Sequence, residues 1–131
     1  MPRKMNPTSL RWTVLAVLGL GTVLNACGSW TELDEVDCPP EGTDLTWNNF
    51  AAGFFAQHCN ECHTANAEDR RGAPVAYVFD TVDQVRALQD RIFLRSAADN
   101  VTMPPGPDDP PEDERWLLAE WLACGAPEGV Y

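Results

Sequence analysis

Residues Cys59-Asn60-Glu61-Cys62-His63 restrict this chain more than any other stretch. Two thiols three residues apart share one helical turn and lie on the same side of it. An imidazole follows the second thiol directly. Five residues therefore concentrate two soft nucleophiles and one ligating nitrogen, and the rest of the chain must fold around whatever they hold. A redox Cys-x-x-Cys pair needs a βαβ surround, which the sequence does not offer. Half of a zinc site needs further ligands, and the other histidine of the chain is His58, beside Cys59.

The stretch reads C-x-x-C-H, the attachment sequence of a covalent c-type haem. Each thiol can add to a vinyl group of the porphyrin, and the adjoining imidazole is then held under the iron as an axial ligand. The segment resembles the haem-binding motif of the class I cytochromes c. That resemblance implies one haem c on Cys59 and Cys62, with His63 on the iron, and a cofactor that becomes part of the core. A plain Cys59–Cys62 disulfide or a zinc site stands as the haem-free alternative.

The first residues look like an export signal. Met1 to Arg11 carries Arg3, Lys4 and Arg11 and no acid, and Trp12 to Leu24 is apolar apart from Thr13, Gly19, Gly21 and Thr22. That apolar run is too short to span a bilayer comfortably. Leu24-Asn25-Ala26-Cys27 follows and resembles a bacterial lipobox. The resemblance implies a signal peptide over 1–26 and a lipidated Cys27 as the new N-terminus; ordinary cleavage with a free Cys27 is the alternative. Gly28 after the cysteine, where Asp would argue for retention, favours the outer over the inner membrane. The expected location is the periplasm, with the lipid as the membrane attachment.

All 20 acids lie after Cys27, against Arg70, Arg71, Arg86, Arg91, Arg95 and Arg115, so the mature side chains sum to −14. Such a surface disfavours nucleic acid and anionic membranes and favours a redox partner with a basic docking face. Of the five cysteines, one is assigned to lipid and two to haem. Cys38 and Cys124 are left in an oxidising compartment, where a Cys38–Cys124 disulfide is expected and two unpaired thiols are the alternative.

Residues 27–46 are acidic, Pro- and Gly-containing and without apolar period, and read as a flexible tether. Residues 47–131 read as one small all-α domain of three main helices. Trp47, Phe50, Phe54 and Phe55 give the first, 47–58, an aromatic face. The second opens on the capping box Thr81-Val82-Asp83-Gln84, carries Val82, Val85, Leu88, Ile92 and Phe93 in one stripe, and should end near Ala98. The third opens with Asp109-Pro110-Pro111-Glu112, Asp109 capping, and buries Leu117, Leu118, Trp121 and Leu122 before Gly125 and Pro127 stop it. Val75 to Phe79 reads as a short extended piece. The order resembles the cytochrome c-like fold, three main helices around a covalent haem. In that family Phe55 occupies an aromatic position four residues before the first haem Cys. Ala51 stands where Gly is usual, and Leu118 and Trp121 would face Phe55 and Ala51.

Met103 is the one methionine after the signal, in Val101-Thr102-Met103-Pro104-Pro105-Gly106 between the last two helices. A lone Met is usually a core filler, but this loop resembles the distal-ligand loop of bacterial cytochrome c domains, which implies a Met103 thioether as sixth ligand. His58 is the rival. His63 should donate its other ring N–H to a backbone carbonyl, and the resemblance makes Pro74 the candidate. Arg70 and Arg71 read as a solvated loop, with a haem propionate as their alternative partner. The resulting expectation is a lipid-anchored one-electron carrier with His63/Met103 ligation and no bond-making catalysis. The alternatives are a redox-sensing or structural haem module of a membrane complex, or a peroxidase-like enzyme with a displaceable Met103.

Overall fold

The structure, a computed structural model, describes residues 30–129. The expected signal peptide and the lipidation residue Cys27 lie outside them. Among the described residues there is no strand, and the fold is small and all-α. Leu33–Glu35 form a 3-10 turn, and Trp47–Ala51 a π-helical turn that continues into α1, Ala52–His58. Helix α2 is Asn60–His63, α3 Val82–Arg86, α4 Gln89–Ser96 and α5 Glu112–Ala123.

Local sequence fixes several of these ends. Thr46 and Asn49 exchange side-chain and backbone hydrogen bonds in a capping box ahead of α1. The box expected at Thr81 is present: the Gln84 N–H donates to Thr81 Oγ1, and the Thr81 N–H to Gln84 Oε1. Helix α5 ends in a Schellman arrangement. Gly125, at φ +80°, donates its N–H to Leu122 O at 2.9 Å, and Ala126 donates to Trp121 O at 2.9 Å.

Four expectations need correction. The second helix is broken at Ala87–Leu88, where the Leu88 N–H turns back to Val85 O, three residues behind it, at 3.0 Å. No Gly or Pro marks that break, and its apolar stripe runs through unchanged. Helix α5 starts two residues later than a cap at Asp109 would have it. Its N-cap is Pro111, in an extended conformation, with no side-chain cap. Two successive prolines explain this, because each disfavours helical geometry in the residue before it. Leu117 is 39 % exposed, whereas Leu118, Trp121 and Leu122 are buried. Val75 and Ala76 form a turn, with the Tyr77 N–H donating to Pro74 O, instead of an extended piece.

Residues 30–46 do not hang free. Leu33, Val36 and Leu45 pack on the core. The Thr31 N–H donates to Asp99 Oδ1, Thr43 Oγ1 donates to Glu120 Oε1, and Cys38 is disulfide-bonded to Cys124. The part of the expected tether from 27 to 29 lies outside the described residues.

The core takes buried residues from α1, α3, α4 and α5, and meets α2 through His63. Phe55 packs edge-on against Trp121 (6.3 Å between ring centroids) and Phe79 (5.7 Å), and Phe79 stacks on His63 at 4.6 Å. Trp47 closes over Phe55 and Trp121. Phe55 and Trp121 are fully buried, and such aromatic contacts add to area burial by about 0.5–1.5 kcal/mol each. The expected neighbours Ala51 and Leu118 are buried in the same cluster. A continuous row of rings thus runs from the last helix to the imidazole of the motif.

Candidate functional site

The motif spans the kink between α1 and α2. Cys59 ends α1, with its N–H donating to Phe55 O at 2.9 Å, and one further turn carries Cys62 and His63. The Cys62 and His63 N–H groups both donate to Cys59 O, at 3.2 and 3.0 Å. This turn holds both thiols and the imidazole in one compact unit. Cys59 and Cys62 are free and half-buried, while Cys38 and Cys124 are paired.

Burial pushes the Cys59 thiol up to about 12. The thiol therefore keeps its proton at neutral pH. A redox nucleophile of the Cys-x-x-Cys kind or a zinc thiolate needs the opposite shift. Among the described residues no three His, Cys, Asp or Glu side chains converge as a metal cage.

His63 is oriented from both sides. Its Nδ1 lies 2.9 Å from Tyr77 O, and a carbonyl can only accept, so the ring proton sits on Nδ1. The Phe79 N–H donates to His63 O at 2.8 Å while the Phe79 ring stacks on the imidazole. Nε2 carries the lone pair and makes no hydrogen bond among the described residues. This is how a metal-ligating histidine is prepared: one nitrogen tied to a backbone acceptor, the other left basic and unengaged. The acceptor is Tyr77, correcting the expected Pro74. Pro74 O instead receives the Tyr77 N–H and a guanidinium N–H of Arg70.

Arg70 is not a solvated loop residue. Its guanidinium donates to the carbonyls of Thr64, Ala73, Pro74 and Tyr77. Arg71 does face solvent, in an ion pair with Glu61 of the motif. Asp80 closes the loop from its far end. Its Oδ2 accepts the Ala65 N–H at 2.9 Å. Hydrogen bonds from the Thr64 side chain and the Ala65 backbone, and then the charge of Arg70, hold its carboxyl below the usual range.

Beside this loop lies a crevice of about 290 Å³ lined by Ala76, Val78, Gln84, Ala87 and Leu88. Ala76 and Val78 flank the carbonyl that orients His63. Met103 stands on the loop after α4, its N–H donating to Arg95 O at 2.8 Å. Its side chain is 38 % exposed, as are Val101 at 38 % and Leu94 at 45 %. The fold does not bond Met103 to the motif. His58 is engaged elsewhere: Nε2 lies 3.1 Å from Glu114 Oε2 on α5, and its ring packs on Phe54.

Sequence reasoning missed Tyr77, Phe79 and Arg70. Phe79 carried a usable signal, being an aromatic just ahead of a capping box. Tyr77 acts through its backbone, which no side-chain pattern reports. No family model, curated protein or solved structure matches this chain. Among the described residues no helix is long and apolar enough to cross a membrane.

Proposed function

We propose that this protein is an exported, lipid-anchored monohaem c-type cytochrome that carries one electron at a time. The observation that carries the reading is His63, held by Tyr77 O through Nδ1 with Nε2 unengaged, one residue from a pair of free thiols. When bound, a covalent haem supplies a one-electron iron couple whose potential the protein sets.

The chain's own residues do the rest. Cys59 and Cys62 would hold the macrocycle as thioethers, and His63 would hold the metal on one face. The Phe55–Phe79–His63 row packs the imidazole against the core, which would limit its movement between oxidation states. Ala76, Val78, Ala87 and Leu88 would offer an apolar surface to the cofactor. Met103, on its own loop, is the proposed second axial ligand. Cys27 is the proposed lipid site, facing the periplasm, and the acidic surface is proposed to meet a basic partner.

The test is a reduced-minus-oxidised spectrum with a pyridine haemochrome assay, on protein exported from a strain able to mature c-type cytochromes. The expected result is one haem per chain with a His/Met spectrum. An intact mass equal to polypeptide plus lipid, from colourless material, would overturn the proposal.

A further inference from the structure

Arg70 and His63 share one acceptor. Arg70 gives Nη1 to Thr64 O at 2.6 Å, Nε to Ala73 O at 3.2 Å, and Nη2 to Pro74 O at 2.9 Å and Tyr77 O at 3.0 Å. Tyr77 O is also the acceptor of His63 Nδ1, at 2.9 Å. A carbonyl oxygen has two lone pairs. Here a neutral ring N–H and a cationic N–H divide them.

The division has a sign. A histidine that donates fully to an unshared carbonyl acquires some imidazolate character, which makes its other nitrogen a better donor. A charged donor on the same oxygen is the stronger of the two bonds. It draws electron density from the carbonyl and weakens what is left for His63. Nε2 is then less basic than an unshared acceptor would make it. A weaker axial donor favours the ferrous form, and so does a nearby positive charge. Both effects of Arg70 therefore act in one direction.

The geometry also separates this role from loop building. The Thr64, Ala73 and Pro74 bonds already close the turn around Arg71 and Gly72, both at positive φ. The fourth bond reaches beyond that turn to the carbonyl that accepts from the His63 ring. Arg70 forms no ion pair with a carboxylate among the described residues, although its charge contributes to holding the Asp80 carboxyl down. Its cation is thus committed to backbone oxygens.

We propose that Arg70 is a positioning residue that tunes His63 through the shared Tyr77 carbonyl, raising the reduction potential of the metal group His63 holds. This inference rests on the haem reading above. It adds a residue that acts on His63 through a backbone carbonyl.

The experiment uses the exported, matured holoprotein and its variants Arg70→Ala, Arg70→Gln and Arg70→Lys. Three quantities are read: haem per chain by pyridine haemochrome, midpoint potential by spectroelectrochemical titration, and the His63 Nδ1–H proton resonance of the ferrous protein. Arg70→Ala should keep one haem per chain and lose potential, by up to about a tenfold change in the one-electron equilibrium, or about 59 mV. Its Nδ1 proton should move downfield as the bond to Tyr77 strengthens. Arg70→Gln should resemble Arg70→Ala, and Arg70→Lys, which keeps the charge, should fall between it and wild type. If Arg70→Ala does not accumulate, a lowered potential in Arg70→Lys carries the same weight. A fully loaded variant with the wild-type potential and an unmoved proton overturns the inference alone. Colourless wild-type protein overturns the haem reading, and this inference with it.

Discussion

At the residue scale the sharpest consequence belongs to Met103. Its loop is hooked by the main chain, through the Met103 N–H on Arg95 O, and not by its side chain. Met103→Ala should therefore leave the loop in place and, under the proposed haem reading, the haem attached through Cys59 and Cys62. Under the proposed ligation it removes a thioether that favours ferrous iron. The potential should fall, and the iron should bind small exogenous ligands such as imidazole. Titration of the visible spectrum with imidazole checks this, and wild-type affinity would exclude Met103 as ligand. Asp80 gives a second test. Its carboxyl is held below its ordinary value in the folded chain, so the stabilisation it gives is complete above the unfolded value. It is lost as pH falls through the folded one. Wild type should be more stable than Asp80→Asn at neutral pH, and the two should converge in acid; urea unfolding at several pH values reads the difference. The motif itself was legible because its chemistry is local: Cys59, Cys62 and His63 are within one turn. The acceptor of His63 was not, because Tyr77 reaches it through a loop path set by four bonds from Arg70 to backbone carbonyls, which no side-chain pattern reports.

At the element scale, legibility followed the caps. The box at Thr81 and the stop at Gly125 were readable because each is a short-range backbone requirement written in a side chain or in its absence. The stop makes a clean prediction. Gly125 sits at φ +80°, and a Cβ there would meet nothing within 4 Å. Gly125→Ala thus tests backbone conformation without a packing change. It should cost about 1–2 kcal/mol, the usual penalty of a left-handed conformation for an L-residue, visible as a lower urea midpoint with an unchanged slope. Thr81→Ala removes a cap whose hydroxyl accepts the Gln84 N–H and should cost about 1 kcal/mol by the same measurement. The start of α5 and the break between α3 and α4 were less accessible. Asp109 has the chemistry of a cap, but Pro110 and Pro111 deny it the geometry. The break at Leu88 has no breaker residue, and lies where the helix lines the crevice beside the motif.

For the whole molecule, the decisive feature is how the two ends of the domain are tied. Residues 27–46 read as a tether in the sequence because they show no apolar period, yet 30–46, the described part, is held to the domain. What holds them is a set of separate anchors: Leu33 and Val36 on the core, Thr31 at Asp99 and Asn100, Thr43 at Glu120, and Cys38 at Cys124. Trp47 and Asn48 add main-chain bonds to Pro127 and Glu128. The expected disulfide is present, with a sequence separation of 86. Closing a loop of that size removes on the order of 4–5 kcal/mol of chain entropy from the unfolded state. That is comparable with the whole stability of a small domain. A single Cys38→Ser change would confound the test, because the released Cys124 thiol can mispair with Cys59 or Cys62 before haem is attached. The double variant Cys38→Ser/Cys124→Ser avoids this. It should lose about 2–5 kcal/mol in urea unfolding, and its midpoint should match that of wild type treated with reductant. Under the proposed haem attachment its haem stoichiometry, once matured, should equal that of wild type, because Cys59, Cys62 and His63 take no part in the disulfide. A double variant as stable as the wild type would mean that the anchors at Thr31, Thr43 and Trp47 already hold the segment without the covalent link.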